Sequence, residues 1–346
     1  MASRVRATGN NFILASLLAT LSYLPFQLVA QFTLIVCVLL FVVDPFPTSR
    51  LAPKLILANN KAIKAALIDI SGTLHIGDEA IPGAVDACRK LFQYNHQLKV
   101  VFLTNTSKVS SETLLHQLRD MGFDESCIPD RDAILTSVNA TRQYLVTNEL
   151  RPYCLVEDDL VEKDFQGVEM NDPNCVLVGL APSKFSYDKL NGAFRLLSKL
   201  KGELEHADCG DKPSLIAIHR AKHYRDSDHQ LSLGPGGFIT LLEQTAGVTA
   251  HVVGKPSHAF YHAAVSSLGV DPANVVMVGD DVVGDIKGSL EAGLGGAILV
   301  QTGKYTDGDE LGNKTDGVLP TLTLRSIVEA VDCICFCVEK GTTSTT

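Results

Sequence analysis

A chain of 346 residues suggests about two domains, and with 46% apolar and 20% charged residues it can bury a sizeable core. Its formal charge of −9 excludes a general polyanion-binding surface, so no nucleic-acid partner is expected and a substrate phosphate would need a local device to hold it. Nine scattered cysteines with no CxxC pair exclude a disulfide framework and fit a reducing compartment.

No charged residue occurs from Ala7 to Val43. The stretch 26–43 nearly supplies the ~20 apolar residues that a membrane-spanning helix needs, although Pro25, Gln27 and Gln31 interrupt it. The leading reading is a signal anchor or single span, with membrane anchoring through residues 12–43. A cleaved targeting segment and an extension with no membrane role stay open beside it. Arg50, Lys54, Lys61 and Lys64 outnumber Arg4 and Arg6, which favours a cytoplasmic catalytic domain. Asn139-Ala-Thr141 and Asn313-Lys-Thr315 match the glycosylation sequon, whose modification would report a lumenal one. Pro45, Pro47 and Pro53 mark the linker that closes this segment, 1–60.

Residues 65–70 read as a short buried strand with Gly72 as breaker. A helix at 82–92, a strand at 98–103, an amphipathic helix at 110–121 and a further helix at 134–146 follow. Strands alternating with helices imply a parallel sheet with covered faces. The pattern then changes: short strands at 153–156, 175–180 and 215–218 are separated by helices and polar loops, with a charged, glycine-rich loop at 201–212. The βαβ pattern returns with strands at 250–253, 275–278 and 296–300 and helices at 257–268 and 284–292. The expected division is core at 61–134, inserted cap at 135–238, core again at 239–340, and a tail at 341–346. Cys333, Cys335 and Cys337 would not share one helical face and read as part of an ordinary apolar segment.

Four motifs sit at strand ends, where open parallel sheets place their ligands. Asp69 ends an apolar strand in Asp69-Ile70-Ser71-Gly72-Thr73, where an unpaired carboxylate is costly without a task or a partner; capping a turn is the plainer alternative. Thr104-Asn105-Thr106 offers hydroxyl and amide donors for phosphate oxygens, or ordinary turn residues. Lys255, in Gly254-Lys255-Pro256, can neutralise phosphate and an attacking carboxylate, or stand solvated. Asp280, Asp281 and Asp285 gather three carboxylates at one strand end, and a hard divalent cation such as Mg²⁺ relieves their repulsion.

The order and spacing of these motifs over residues 61–332 resemble the haloacid dehalogenase superfamily. The segments 69–75, 180–182, 233–236, 253–256 and 302–305 are similar to one branch of it. The resemblance implies an α/β fold: a Rossmann-like parallel-sheet core with an inserted α/β cap of the C2 type, here preceded by the hydrophobic N-terminal segment. It implies a Mg²⁺-dependent phosphatase acting on a small phosphorylated substrate, with Asp69 as nucleophile and metal ligand. The Ser71 carbonyl and Asp280 would be further ligands, Asp281 and Asp285 less direct ones, and Thr104, Asn105 and Lys255 would hold the phosphoryl group. A homodimer through the cap is the partner that relatives suggest. One position departs from the pattern: Ser71 stands where most phosphatases of the superfamily carry the aspartate that protonates the leaving group, help worth about 10²–10⁴-fold. Substrates that need little acid help, P–N bonds or pyrophosphate, would tolerate the loss. His75 or His258 could supply the proton, although each reads more simply as a packing or surface residue. A catalytically weak binding or scaffold protein, and the superfamily's metal-free dehalogenation, are the competing readings. Leu233-Gly234-Pro235-Gly236-Gly237 reads equally as a loop facing the site or as a plain connector.

Overall fold

The computed structural model of the chain describes residues 62–343 except 95, 205–212 and 229. The N-terminal hydrophobic segment and linker, and most of the glycine-rich loop at 201–212, lie outside the described residues. Among the described residues no helix is long and apolar enough to cross a membrane.

β1 (Ala65–Asp69) is apolar up to its last residue and buried along its length. Alternation sends Ala66 and Ile68 to one face of the sheet and Ala65 and Leu67 to the other. A small hairpin of β2 (His75–Ile76) and β3 (Glu79–Ala80) follows, then α1 (Ala84–Gln93), β4 (Lys99–Thr104), α2 (Ser111–Asp120) and β5 (Ile134–Thr136). Ser110 caps α2 by accepting from the Thr113 N–H at 3.2 Å, a bond worth about 1 kcal/mol. The chain then builds a second layer from α3 (Ser137–Thr147), β6 (Pro152–Leu155), α4 (Asp158–Lys163), β7 (Cys175–Val178), α5 (Tyr187–Leu204) and β8 (Leu215–Ala217). The antiparallel pair β9 (His223–Arg225) and β10 (Leu231–Leu233), α6 (Gly236–Ala246) and β11 (His251–Val252) complete it. The core resumes with α7 (His258–Leu268), β12 (Val275–Gly279), a π-helix at Val282–Lys287, α8 (Gly288–Glu291), β13 (Gly296–Val300), β14 (Leu322–Leu324) and α9 (Ile327–Thr343).

The core sheet runs β14-β13-β12-β1-β4-β5, and its pairings are all parallel. Leu91 of α1, Leu118 of α2 and Ile334 of α9 pack on one face; Phe260, Tyr261 and Ala264 of α7 pack on the other. Each Leu, Ile or Phe among them contributes about 1.5–3 kcal/mol by leaving water. The second sheet, β11-β8-β7-β6, is parallel too. Leu145 and Leu160 cover one of its faces, and Leu197, Ile239 and Leu242 the other. This is the α/β core with an inserted α/β cap.

Several elements differ from the sequence reading. The stretch 134–146 opens as a strand, because Ile134 to Thr136 pair with Phe102 to Thr104 at the sheet edge. The Thr136 hydroxyl then caps the helix by accepting from Asn139 N–H at 3.0 Å. The strand expected to return the chain to the core, at 250–253, joins β8 of the cap sheet instead, so that sheet extends past residue 238. Its two residues give no periodicity to tell one sheet from the other. The helix expected at 284–292 is a π-helix followed by a short α-helix. α9 runs to Thr343, into the expected tail, and carries Cys333, Cys335 and Cys337, all buried in the core. Within 233–237, Leu233 ends β10, Gly236 opens α6, and Gly234 and Pro235 connect them: Gly234 N–H donates to Lys222 O at 2.9 Å, and a Cβ on Gly234 would lie 2.1 Å from Ala221 O.

Candidate active site

Asp69, Ser71, Thr104, Asn105, Lys255, Asp280, Asp281 and Asp285 line one cavity of about 280 Å³. Three strands of the core deliver them: β1 ends at Asp69, β4 leads into Thr104 and Asn105, and β12 leads into Asp280. Lys255 arrives from the cap strand β11.

Asp69 is 5% exposed. Its Oδ1 accepts from Lys255 Nζ at 2.5 Å and its Oδ2 from Thr73 Oγ1 at 3.1 Å. Lys255 Nζ also donates to Asp285 Oδ1 at 2.7 Å and to Leu103 O at 3.1 Å, which uses all three ammonium protons. Burial alone would lower the Lys255 ammonium, but Asp285 and Asp69 outweigh it and hold it above the usual lysine range. Asp280 Oδ2 accepts from the Lys304 N–H at 2.6 Å, while its Oδ1 is buried with no hydrogen-bond partner among the described residues. Burial, together with Asp69 and Asp285, pushes the Asp280 carboxyl well above its ordinary range against the pull of Lys304. Asp285 is pushed up to about 7 by burial and by Asp69 and Asp281, against the opposing charge of Lys255.

A cation fits this arrangement. Asp69, Asp280 and Asp285 each bring a carboxylate oxygen within 4.8 Å of the others. Such hard oxygen donors suit Mg²⁺, and the unpartnered Asp280 oxygen needs a positive neighbour. The backbone closes tightly here: a Cβ on Gly72 or on Gly303 would lie 2.0 Å from Asp280 Oδ2. Asp281 departs from the acidic trio. Its Oδ2 pairs with Lys304 Nζ at 2.9 Å and its Oδ1 caps the π-helix through the Gly284 N–H at 2.9 Å. The Ser71 hydroxyl is paired with Thr106 Oγ1 at 3.1 Å, and Thr106 Oγ1 in turn with Thr104 Oγ1 at 2.9 Å.

Asn105, read from the sequence as a phosphate-holding residue, has its side-chain amide engaged with the Lys255 main chain. Its amide oxygen accepts from the Lys255 N–H and its amide nitrogen donates to Lys255 O, both at 2.9 Å. Of the two histidines considered as acids, His75 lines the cavity, with Nδ1 2.7 Å from Gly77 O and a proton affinity lowered chiefly by burial. His258 is a surface residue, 3.9 Å from Glu291.

Sequence reasoning assigned no role to Lys304 or His219. Lys304 lay in plain view in Thr302-Gly303-Lys304-Tyr305 but had no partner until Asp281 was placed beside it. His219 follows β8 with no motif around it. Its Nδ1 accepts from the Ala221 N–H at 3.3 Å, so Nε2 carries the proton and donates to Ser107 Oγ at 2.9 Å. Burial above all, then Lys304 and Lys255, lower its pKa from 6.5 to about 3. The unfolded chain therefore takes up this proton first. The stability that His219 contributes is complete above pH 6.5 and is lost as the pH falls towards 3. The difference in urea midpoint between the wild type and His219→Gln is expected to shrink steadily over that interval.

A sequence model described as haloacid dehalogenase-like hydrolase matches residues 66–169, and one described as HAD-hydrolase-like matches residues 252–327. The chain is 43% identical over 276 residues to haloacid dehalogenase-like hydrolase domain-containing protein 2 of Bos taurus, covering 80% of this chain and 97% of that protein. It is 37% identical over 254 residues to phospholysine phosphohistidine inorganic pyrophosphate phosphatase of Danio rerio, covering 72% of this chain and 87% of that protein. Among solved structures, p-nitrophenyl phosphatase from Archaeoglobus fulgidus superposes with a TM-score of 0.66 at 25% identity, over 79% of this chain and 99% of that one.

Proposed function

The chain belongs to the haloacid dehalogenase-like hydrolase family, and on that premise we propose that it is a Mg²⁺-dependent phosphatase. In this reading Asp69 attacks the phosphorus of a small substrate and carries the phosphoryl group as a phosphoaspartate. The observation that carries the proposal is the setting of Asp69: a buried carboxylate at a strand end, hydrogen-bonded to Lys255, beside an Asp280 oxygen that no group among the described residues satisfies. Asp69, Asp280, Asp285 and the Ser71 carbonyl would hold the metal. When bound, Mg²⁺ neutralises charge on the phosphoryl oxygens and on the crowded carboxylates.

Lys255 holds the Asp69 carboxylate in place through its hydrogen bond, and its charge offsets the negative charge that builds up as phosphorus is approached. Thr104 and Thr106 bring hydroxyls to the cavity wall. The cavity, about 280 Å³, sits at the lower end of ligand sites, which supports a small substrate. Ser71 defines the leaving group. A hydroxyl hydrogen-bonded to Thr106 cannot deliver a proton as a carboxylic acid does. A P–N bond, whose nitrogen can be protonated before cleavage, or a pyrophosphate suits such a site, and one relative carries both substrate classes in its name.

The test compares Mg²⁺-dependent hydrolysis of imidodiphosphate and of phenyl phosphate by the wild type and by Ser71→Asp. The wild type should favour imidodiphosphate. Ser71→Asp should raise turnover of phenyl phosphate by about 10²-fold or more and change imidodiphosphate much less. Absence of Mg²⁺-dependent turnover of either substrate would favour instead a binding protein that keeps the fold, a reading whose best support is Ser71.

A further inference from the structure

We propose that Asn105 is a positioning residue: it locks Lys255, delivered by the cap sheet, against the carboxylates of the core. This rests on the phosphatase reading for its kinetic consequences and on the structure alone for the lock.

Lys255 does not belong to the sheet whose carboxylates it meets. β11 pairs with β8 of the cap, His251 with Ile216 and Val252 with Ala217. The ladder continues past the strand, with Val253 N–H donating to Ala217 O at 3.0 Å and Gly254 N–H to Ile218 O at 2.9 Å. At the next residue the cap supplies no partner, and Asn105 takes over. Its side chain accepts from the Lys255 N–H and donates to Lys255 O, both at 2.9 Å, as a neighbouring strand would. The orientation of the amide is forced, because turning it over would set N–H against N–H and oxygen against oxygen. Gly254 gives way to this contact: a Cβ there would lie 2.4 Å from Asn105 Oδ1.

The lysine is therefore held at both ends by different parts of the fold. Its main chain hangs from the cap sheet and from Asn105, at the end of core strand β4. Its ammonium reaches Asp69 and Asp285 and is 4% exposed. Without Asn105 both the N–H and the C=O of Lys255 lose this partner, and the tether from cap to core relaxes where the ammonium must be aligned. A misplacement of about 1 Å at a reacting group can cost about 10²-fold in rate.

Two measurements on the full chain test this. The first is acylation of lysines by an amine-reactive acetylating reagent, followed by mass spectrometry. Lys255 should resist labelling in the wild type and react at least about ten times faster in Asn105→Ala, with exposed lysines such as Lys189 unchanged. Asn105→Asp, which keeps the acceptor for the Lys255 N–H and loses the donor, should fall between them and serves alone if Asn105→Ala does not fold. The second is a double-mutant cycle on kcat. Asn105→Ala should lose about 10²-fold, and Asn105→Ala combined with Lys255→Ala should be no slower than Lys255→Ala alone. Unaltered protection of Lys255 in the variants would overturn the lock, and so would losses that multiply in the double variant, since Asn105 would then act on the phosphoryl group directly. If the chain proves to have no phosphatase activity, the labelling result still decides.

Discussion

Asp69→Asn is expected to abolish Mg²⁺-dependent phosphate release, with a loss of about 10⁴-fold or more. An amide of the same shape keeps the volume and can still accept from Thr73, but it has no anionic oxygen to form a bond to phosphorus. The variant should not unfold the protein. In the metal-free state Asp69 adds to the burial and repulsion that push Asp280 and Asp285 upward. Removing its charge relieves part of that repulsion, so the unfolding temperature of metal-free Asp69→Asn should equal or exceed that of the wild type. Lost activity with retained stability is what a strained functional site gives. Lost activity together with a collapse in stability would instead assign Asp69 a structural task, and retained activity would remove it from the mechanism.

The second large effect is expected from the metal. Chelation should stop turnover of every substrate, and Mg²⁺ should restore it. Mg²⁺ should also raise the unfolding temperature in the absence of substrate, because it binds the folded chain; at a concentration 100 times its Kd the stabilisation is about 2.7 kcal/mol. Asp280→Asn removes the carboxylate whose Oδ1 has no partner among the described residues. It should lose both the activity and most of the Mg²⁺-dependent shift, while Asp281→Asn, whose carboxylate is engaged with Lys304 and the π-helix cap, should retain the shift. A shift that persists unchanged in Asp280→Asn would place the metal elsewhere.

Much of this site was legible because its chemistry is written in consecutive residues at strand ends. Asp69 after 65–68, and Asp280 after 275–279, are each a carboxylate closing an apolar run, and burial on both faces of a parallel sheet leaves few other readings. What the sequence did not disclose depends on contacts between distant segments. Asn105 looks like a donor beside a phosphate until Lys255, 150 positions away, takes both of its amide groups. Asp281 reads as a less direct metal ligand until Lys304 is placed beside it. β11 has two residues, too few for periodicity to say which sheet they join. β5 hides in a run of apolar residues that continues into a helix, and only the Thr136 cap divides the two. His219 carries no motif at all, and its place at the cavity comes from the end of cap strand β8.

The central claim is that Asp69 forms a bond to phosphorus. It is tested most directly by quenching the reaction of radiolabelled pyrophosphate with acid in the presence of Mg²⁺ and reducing any acyl phosphate with borohydride. The modified residue is then located by mass spectrometry. The account predicts an acid-stable phosphoenzyme whose reduction converts the residue at position 69 to homoserine, with none formed by Asp69→Asn. Turnover without a phosphoenzyme under these conditions, or a label on any other residue, would contradict it.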